Sequence, residues 1–144
     1  MFINLFRKGP IPEELPKSMQ KVVDSLKKTK SKEECLTKAY EVISKRFHGC
    51  RLLTHLKAYL TRDLEKMWNV EKTSHCTNLN YLFYVLLIKS GKFKKEDFKL
   101  RWSLVFSIAP HQYFEIKMSK EGVVYADPFG GTYGMKLGNY YHGW

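Results

Sequence analysis

The hydrophobic period of this chain changes once, and that change constrains the fold more than any other feature. Leu15, Met19, Val22, Val23 and Leu26 recur at helical spacing, and the helical pattern persists, with interruptions, as far as Gly91. From Phe98 onward the spacing is two: Phe98, Leu100, Trp102, Leu104, Phe106 and Ile108 alternate with Lys99, Arg101, Ser103, Val105 and Ser107. Helices come first and short-turned strands follow. Strands joined by short turns pair antiparallel, so the pattern predicts an α+β domain with an antiparallel meander beside the helices.

The boundaries follow from local chemistry. "GPIP" lies in an irregular lead-in over residues 1–12, and a first helix is expected from Pro12 until "KTKSK" interrupts it. Ser31, Lys32, Glu33 and Glu34 form a capping box, which starts a second helix with Leu36, Tyr40, Ile43 and Phe47 on its apolar face and Gly49 as its stop. A third helical pattern runs from Thr54 to Met67 or Trp68. "NVEKTSH" then reads as a loop. In "SHCTNLNYLFYVLLIKSG" the apolar residues from Leu79 to Ile88 surround the axis on nearly all sides, which predicts a buried central helix capped by Thr73 or Ser74 and ended by Gly91. Ala109-Pro110 is expected to break the first strand. "HQYFEIKM" resumes with Phe114, Ile116 and Met118 on one face and His111, Tyr113, Glu115 and Lys117 on the other. "SKEG" is a turn, and "VVYADP" is a third strand stopped by Pro128. The whole reads as one domain: lead-in 1–12, helical part 13–68, core 69–131, and a Gly- and Tyr-rich tail 132–144 that forms loop or a short edge strand.

Composition narrows the function classes. At 144 residues and 44% hydrophobic, the chain can build a real core and is not of the disordered kind. No stretch reaches the roughly 18 apolar residues of a membrane helix, and "MFINLFRKGP" lacks the charge-then-apolar order of a signal peptide. A cytoplasmic protein with no membrane partner is therefore expected. Three cysteines, Cys35, Cys50 and Cys76, are too few and too odd for a disulfide framework. The net charge of +11 favours acidic partners: nucleic acid, an anionic membrane or an acidic substrate. Its lysine runs, Lys27 to Lys32 and Lys89 to Lys99, read as exposed connections. There is no Gly-rich phosphate loop and no aromatic signature of an RNA-binding sheet. His48, Cys50 and His55, with His75 or Cys76, offer nitrogen and sulfur ligands, but their spacing is not that of a zinc site. Neither a metal nor an organic cofactor is expected.

The chemistry converges on Cys76. If its helix begins near Ser74, the sulfur lies in the first turn, facing unpaired N–H groups and the positive end of the dipole. Such settings lower a thiol pKa from about 8.5 to roughly 3.5–7.5. A cysteine opening a buried helix also reads as a small hydrophobe. Two distant residues favour the reactive reading. His111 opens a strand after the proline break, and Asp127 closes the next. A turn over Ser119 to Gly122 folds this hairpin so that its open end holds both, and a Cys–His–Asp nucleophile system needs such a meeting of groups. Taken singly, His111 reads equally as a strand-end histidine bonded to backbone, and Asp127 before Pro128 as a common turn pair. Glu115, on the His111 side, reads as a supporting carboxylate or as plain surface. Cys35 is a helix-face thiol, and His142 a tail residue.

A cysteine opening a buried helix, followed by "HQYFEI" and "GVVYADPFG", resembles the core of the transglutaminase-like cysteine enzymes, over about Trp68 to Gly131. Many relatives carry a glycine before the nucleophile and a tryptophan in the histidine strand; here His75 and Tyr113 occupy those places. The resemblance implies a papain-like core in which Cys76 attacks a carboxamide or peptide carbonyl and forms a thioester. His111 would serve as base and Asp127 would orient it. It further implies an oxyanion donor at the Cys76 N–H, with Trp68 or Asn69 as a second, although Trp68 reads equally well as the hydrophobic end of a helix. Hydrolysis is favoured over cross-linking, and the partner is a protein or peptide substrate, acidic in keeping with the charge. The competing expectation is a non-enzymatic basic module on the same scaffold that recognises nucleic acid or an acidic protein.

Overall fold

A computed structural model describes residues 8–49, 60–70, 74–105, 109–118 and 122–142. Among these, the chain is α+β as expected, with five helices followed or flanked by one three-stranded antiparallel sheet. Helix α1 spans Lys17–Lys27, α2 Lys32–Arg46, α3 Leu64–Trp68, α4 Cys76–Lys89 and α5 Pro128–Gly131. Strands β1 (Phe98–Val105), β2 (Ala109–Lys117) and β3 (Val123–Ala126) lie in the order β1-β2-β3.

The first helix begins later than Pro12. Its N-cap is Pro16, whose carbonyl accepts from Gln20 N–H at 2.9 Å, so Pro12 lies in the irregular lead-in and Leu15 just outside the helix. Ser31 caps α2 as expected, its hydroxyl accepting from Glu34 N–H at 3.0 Å. The returning Glu34 carboxylate accepts from Lys30 N–H instead of Ser31 N–H. This helix ends at Arg46, ahead of Gly49. The third helical pattern falls partly on residues 50–59, outside the described residues. What is described is short: α3 starts afresh at the Asp63 cap, so the helix is not continuous from Thr54 to Trp68.

Helix α4 is the centre of the domain and packs on α1, α2, α3, α5 and β2. Leu79, Leu82, Phe83, Val85, Leu86 and Leu87 are all fully buried, which accounts for its apolar character on every side. It ends at Ser90, and Gly91 follows with φ +75°, a left-handed conformation that glycine adopts without steric cost. The cap at its start is neither Thr73, which lies outside the described residues, nor Ser74. It is His75, whose Nδ1 accepts from Thr77 N–H at 3.3 Å.

The sheet covers one side of α4. Register pairs Phe98 with Ile116, Leu100 with Phe114 and Ser103 with His111. Ala109-Pro110 does not break the strand: Pro110 opposes Leu104 within β2. A proline is tolerated there because β3 pairs only from Phe114 to Lys117, so no ladder on that side needs its missing N–H. The alternation on β1 is buried only in its first half. Phe98 and Leu100 pack against the core, whereas Trp102 is 39% and Leu104 53% exposed, beyond the reach of the helical layer. Residues 106–108 and 119–121 lie outside the described residues, although Met118 N–H reaches the Gly122 carbonyl across the expected turn.

Candidate active site

Three elements bring their ends to one place. The segment before α4 is tethered to the end of α2: Ser74 N–H donates to the His48 carbonyl at 2.8 Å, and Gly49 and Ser74 form a parallel bridge. This fixes the entry into α4 and sets Cys76 as its first helical residue, 5% exposed. His111 lies three residues beyond the last β2–β3 pair, Phe114 with Ala126, and Asp127 follows Ala126 directly. The hairpin thus delivers an imidazole and a carboxylate at its open end, with His111 Nε2 2.7 Å from Asp127 Oδ2.

Asp127 is fully buried, and each of its oxygens is held. Oδ2 also accepts from Tyr141 N–H at 3.0 Å, and Oδ1 accepts from Gly130 N–H at 2.9 Å. Gly130 lets the chain pass close to the acid: a Cβ there would lie 3.1 Å from the carboxylate and 2.7 Å from the Met135 sulfur, and both would have to give way. The Tyr40 hydroxyl bonds the Asp127 carbonyl at 3.0 Å and the Met135 carbonyl at 2.9 Å, tying α2 to the acid. Phe129 and Tyr141 flank the imidazole with ring centroids at 5.5 and 5.9 Å and keep water from the His111–Asp127 bond.

Because Asp127 takes Nε2, Nδ1 is the His111 nitrogen left for the sulfur, and the two side chains act on each other's protonation. Burial by itself would push the Cys76 thiol up. Hydrogen bonds to His111 and His75, then the charges of both rings, outweigh it and bring the pKa from 9.0 to about 6. Burial would likewise lower His111. Its hydrogen bonds to Asp127 and Cys76, and their charges, raise it instead from 6.5 to about 9. Between these values the pair is a thiolate beside an imidazolium, a nucleophile with a proton donor next to it.

His75 occupies an ambivalent position. Its Nδ1 is 3.6 Å from Cys76 Sγ and 3.1 Å from Thr77 Oγ1 while it accepts from Thr77 N–H. One nitrogen cannot do both jobs: bare, it caps the helix; protonated, it donates to the sulfur anion. Cys76 itself, as the first residue of the helix, has no acceptor for its N–H inside α4, the property an oxyanion donor needs.

Other residues singled out in the sequence lie elsewhere. Trp68 is a core residue, not an oxyanion donor: its indole N–H donates to Ser18 Oγ at 2.8 Å, its ring meets Phe47 edge-on, and its carbonyl accepts from Arg46. Asn69 is the exposed C-cap of α3, its N–H taken by the Glu65 carbonyl. Tyr113, on the same face of β2 as His111, stacks on Tyr140 at 4.1 Å. Glu115 supports no imidazole, being paired with Arg101 at 2.6 Å. Cys35 is fully buried and free. His48 is exposed, Cys50 and His55 lie outside the described residues, and among the described residues no group of three ligand-type side chains could hold a metal. The contribution of the tail had no signal in the sequence, because Tyr141 acts through its backbone N–H. Asn80, Gln112 and Tyr40 were also missed; a polar residue at an otherwise apolar position, Asn80 above all, was the available clue.

Comparison with protein-family models, with curated proteins and with solved structures returned no match. Among the described residues, no helix is long and apolar enough to cross a membrane.

Proposed function

We propose that this protein is a cysteine-dependent enzyme acting on amide bonds of a protein or peptide substrate, with Cys76 as nucleophile, His111 as proton carrier and Asp127 as its orienting acid. The observation that carries this reading is a buried thiol drawn toward its anion by His111, whose Nε2 is 2.7 Å from a fully buried carboxylate. The resemblance of "HQYFEI" and "GVVYADPFG" to the transglutaminase-like enzymes points the same way.

The steps follow from the resting ion pair. The thiolate adds to the carbonyl carbon, and the oxyanion so formed is met by the Cys76 N–H. Imidazolium at His111 transfers its proton to the departing nitrogen as the C–N bond breaks, leaving a thioester and a neutral imidazole. That imidazole then takes a proton from water, whose oxygen attacks the thioester. Thiolate and imidazolium are restored and a carboxylic acid leaves. Asp127 stabilises the charged ring and fixes its tautomer throughout. Free thiols are needed for this chemistry, which accords with a cytoplasmic setting. The test is competitive labelling with iodoacetamide at pH 6, with the adducts mapped by mass spectrometry. Cys76 should be modified well ahead of Cys35 and Cys50; modification of either of those first would overturn the assignment.

A further inference from the structure

A groove of about 900 Å³ between α4, β1 and β2 starts at Thr77, the neighbour of Cys76. Its floor is aromatic: Phe98 meets Tyr84 and Phe114 edge-on at 4.9 and 5.5 Å. Its rim is cationic. Lys8, Arg62 and Lys95 line it, and among the described residues no carboxylate does. Lys8 donates to the Thr61 carbonyl at 2.8 Å. Desolvation first, and then the neighbouring Arg62 guanidinium, hold its ammonium down to about 8, while the Cys76 sulfur acts on it in the opposite sense. Lys8 is therefore within electrostatic reach of the nucleophile and of Arg62.

Two amide side chains line the groove wall at its inner end. Asn80 sits one helical turn beyond Cys76, and Gln112 directly follows His111. They are 2% and 3% exposed. Asn80 Nδ2 donates to the Gln112 carbonyl at 2.9 Å, and Asn80 Oδ1 and Gln112 Nε2, both sealed from solvent, have no partner among the described residues. This bond ties α4 to β2 behind the groove wall and fixes the inner end of the groove.

Resting on the reading of Cys76 as nucleophile, we propose that this groove is the acyl-donor subsite and takes an acidic peptide. A carboxylate of the peptide lies between Lys8 and Arg62, and its chain crosses the aromatic floor toward Thr77. The groove opens beside a nucleophile read as attacking amides, so it takes a peptide over a nucleic acid.

The test separates the groove from the thiol chemistry. Binding of three fluorescein-labelled hexapeptides, alike except for two central Glu, Gln or Lys residues, is measured by fluorescence anisotropy on the Cys76→Ala protein. The Glu peptide should bind at least about tenfold more tightly than the Gln peptide, the order of one charge-assisted contact. Arg62→Glu should remove that advantage. Lys38→Glu, on the exposed face of α2, should change affinity less than twofold. Equal binding of the Glu and Lys peptides, or equal damage from Lys38→Glu and Arg62→Glu, would overturn the proposal. So would tighter binding of a twelve-nucleotide oligothymidylate that Arg62→Glu abolishes, since that assigns the groove to single strands. Iodoacetamide labelling of the unmodified protein judges the nucleophile independently. Acidic-peptide binding without Cys76 reactivity would support the groove and sink the enzyme.

Discussion

Helix α4 is packed in two different ways along its length. From Leu82 to Leu87 its buried side chains are hydrocarbon, and Leu82, Phe83, Val85, Leu86 and Leu87 are completely buried. Toward its start the buried groups are polar: Ser74, Cys76, Thr77 and Asn80 on this side, His111, Gln112 and Asp127 on the sheet side. The apolar length gains stability simply by excluding water and filling space, so its demands are those of shape. The polar end makes demands of direction, since each buried donor or acceptor needs a partner. Those demands are incompletely met: Ser74 Oγ, Asn80 Oδ1 and Gln112 Nε2 all lack one among the described residues. The contrast separates two tasks within one helix. Packing decides where the sulfur is, and the polar end decides what it can do.

That division can be broken from either side. Phe83→Ala should cost about 3–5 kcal/mol in denaturant unfolding while the remaining folded protein still labels at Cys76; loss of labelling in that folded fraction would show that the two ends are not separable. Asp127→Asn should cost about 2–3 kcal/mol, the worth of a buried bond between charged groups, and should lower the His111 midpoint seen by NMR from about 9. The sign of its pH dependence is fixed. A raised histidine pKa stabilises the native state fully below the unfolded value of 6.5, and the stabilisation is lost as pH climbs through about 9. The stability gap between the native protein and this variant should therefore be widest near pH 6 and shrink by pH 9. Cys76 works in the opposite sense: its depressed pKa contributes above 9.0, and the contribution disappears as pH falls through about 6. His111→Ala removes the leading favourable influence on the thiolate, so iodoacetamide labelling at pH 6.5 should slow by about 10- to 100-fold, one to two pKa units. An unchanged rate would assign the activation to His75. The smallest effect belongs to a site remote from both ends: Ser31→Ala should cost about 1 kcal/mol and leave labelling untouched.

Part of this was legible in the residues and part was not. The switch of period from helical to two foretold α+β, because each period fits one kind of surface. Cys76, His111 and Asp127 stood out because each marks the end or start of an element, and ends of elements are where chains turn toward one another. The identity of the α4 cap was hidden, since an imidazole acceptor competes poorly with a nearby serine on sequence grounds and the backbone path through His48 decided the matter. Alternation placed Trp102 and Leu104 on the face of Phe98 without revealing how far the helices extend over it. Trp68 was open to two uses at a loop edge, and Ser18, fifty residues earlier, decided between them. Such long-range pairings leave no local trace.

The bond from Tyr141 N–H to Asp127 Oδ2 has a consequence in time. A chain is made from its N-terminus, so the sulfur leaves the ribosome long before the residue that completes the seat of the acid. Until residue 141 has emerged and docked, the carboxylate lacks one of its anchors and the imidazole one of the rings that cover it. A nascent chain of this protein thus carries a dormant thiol, and its reactivity waits for residue 141, translated well after Cys76.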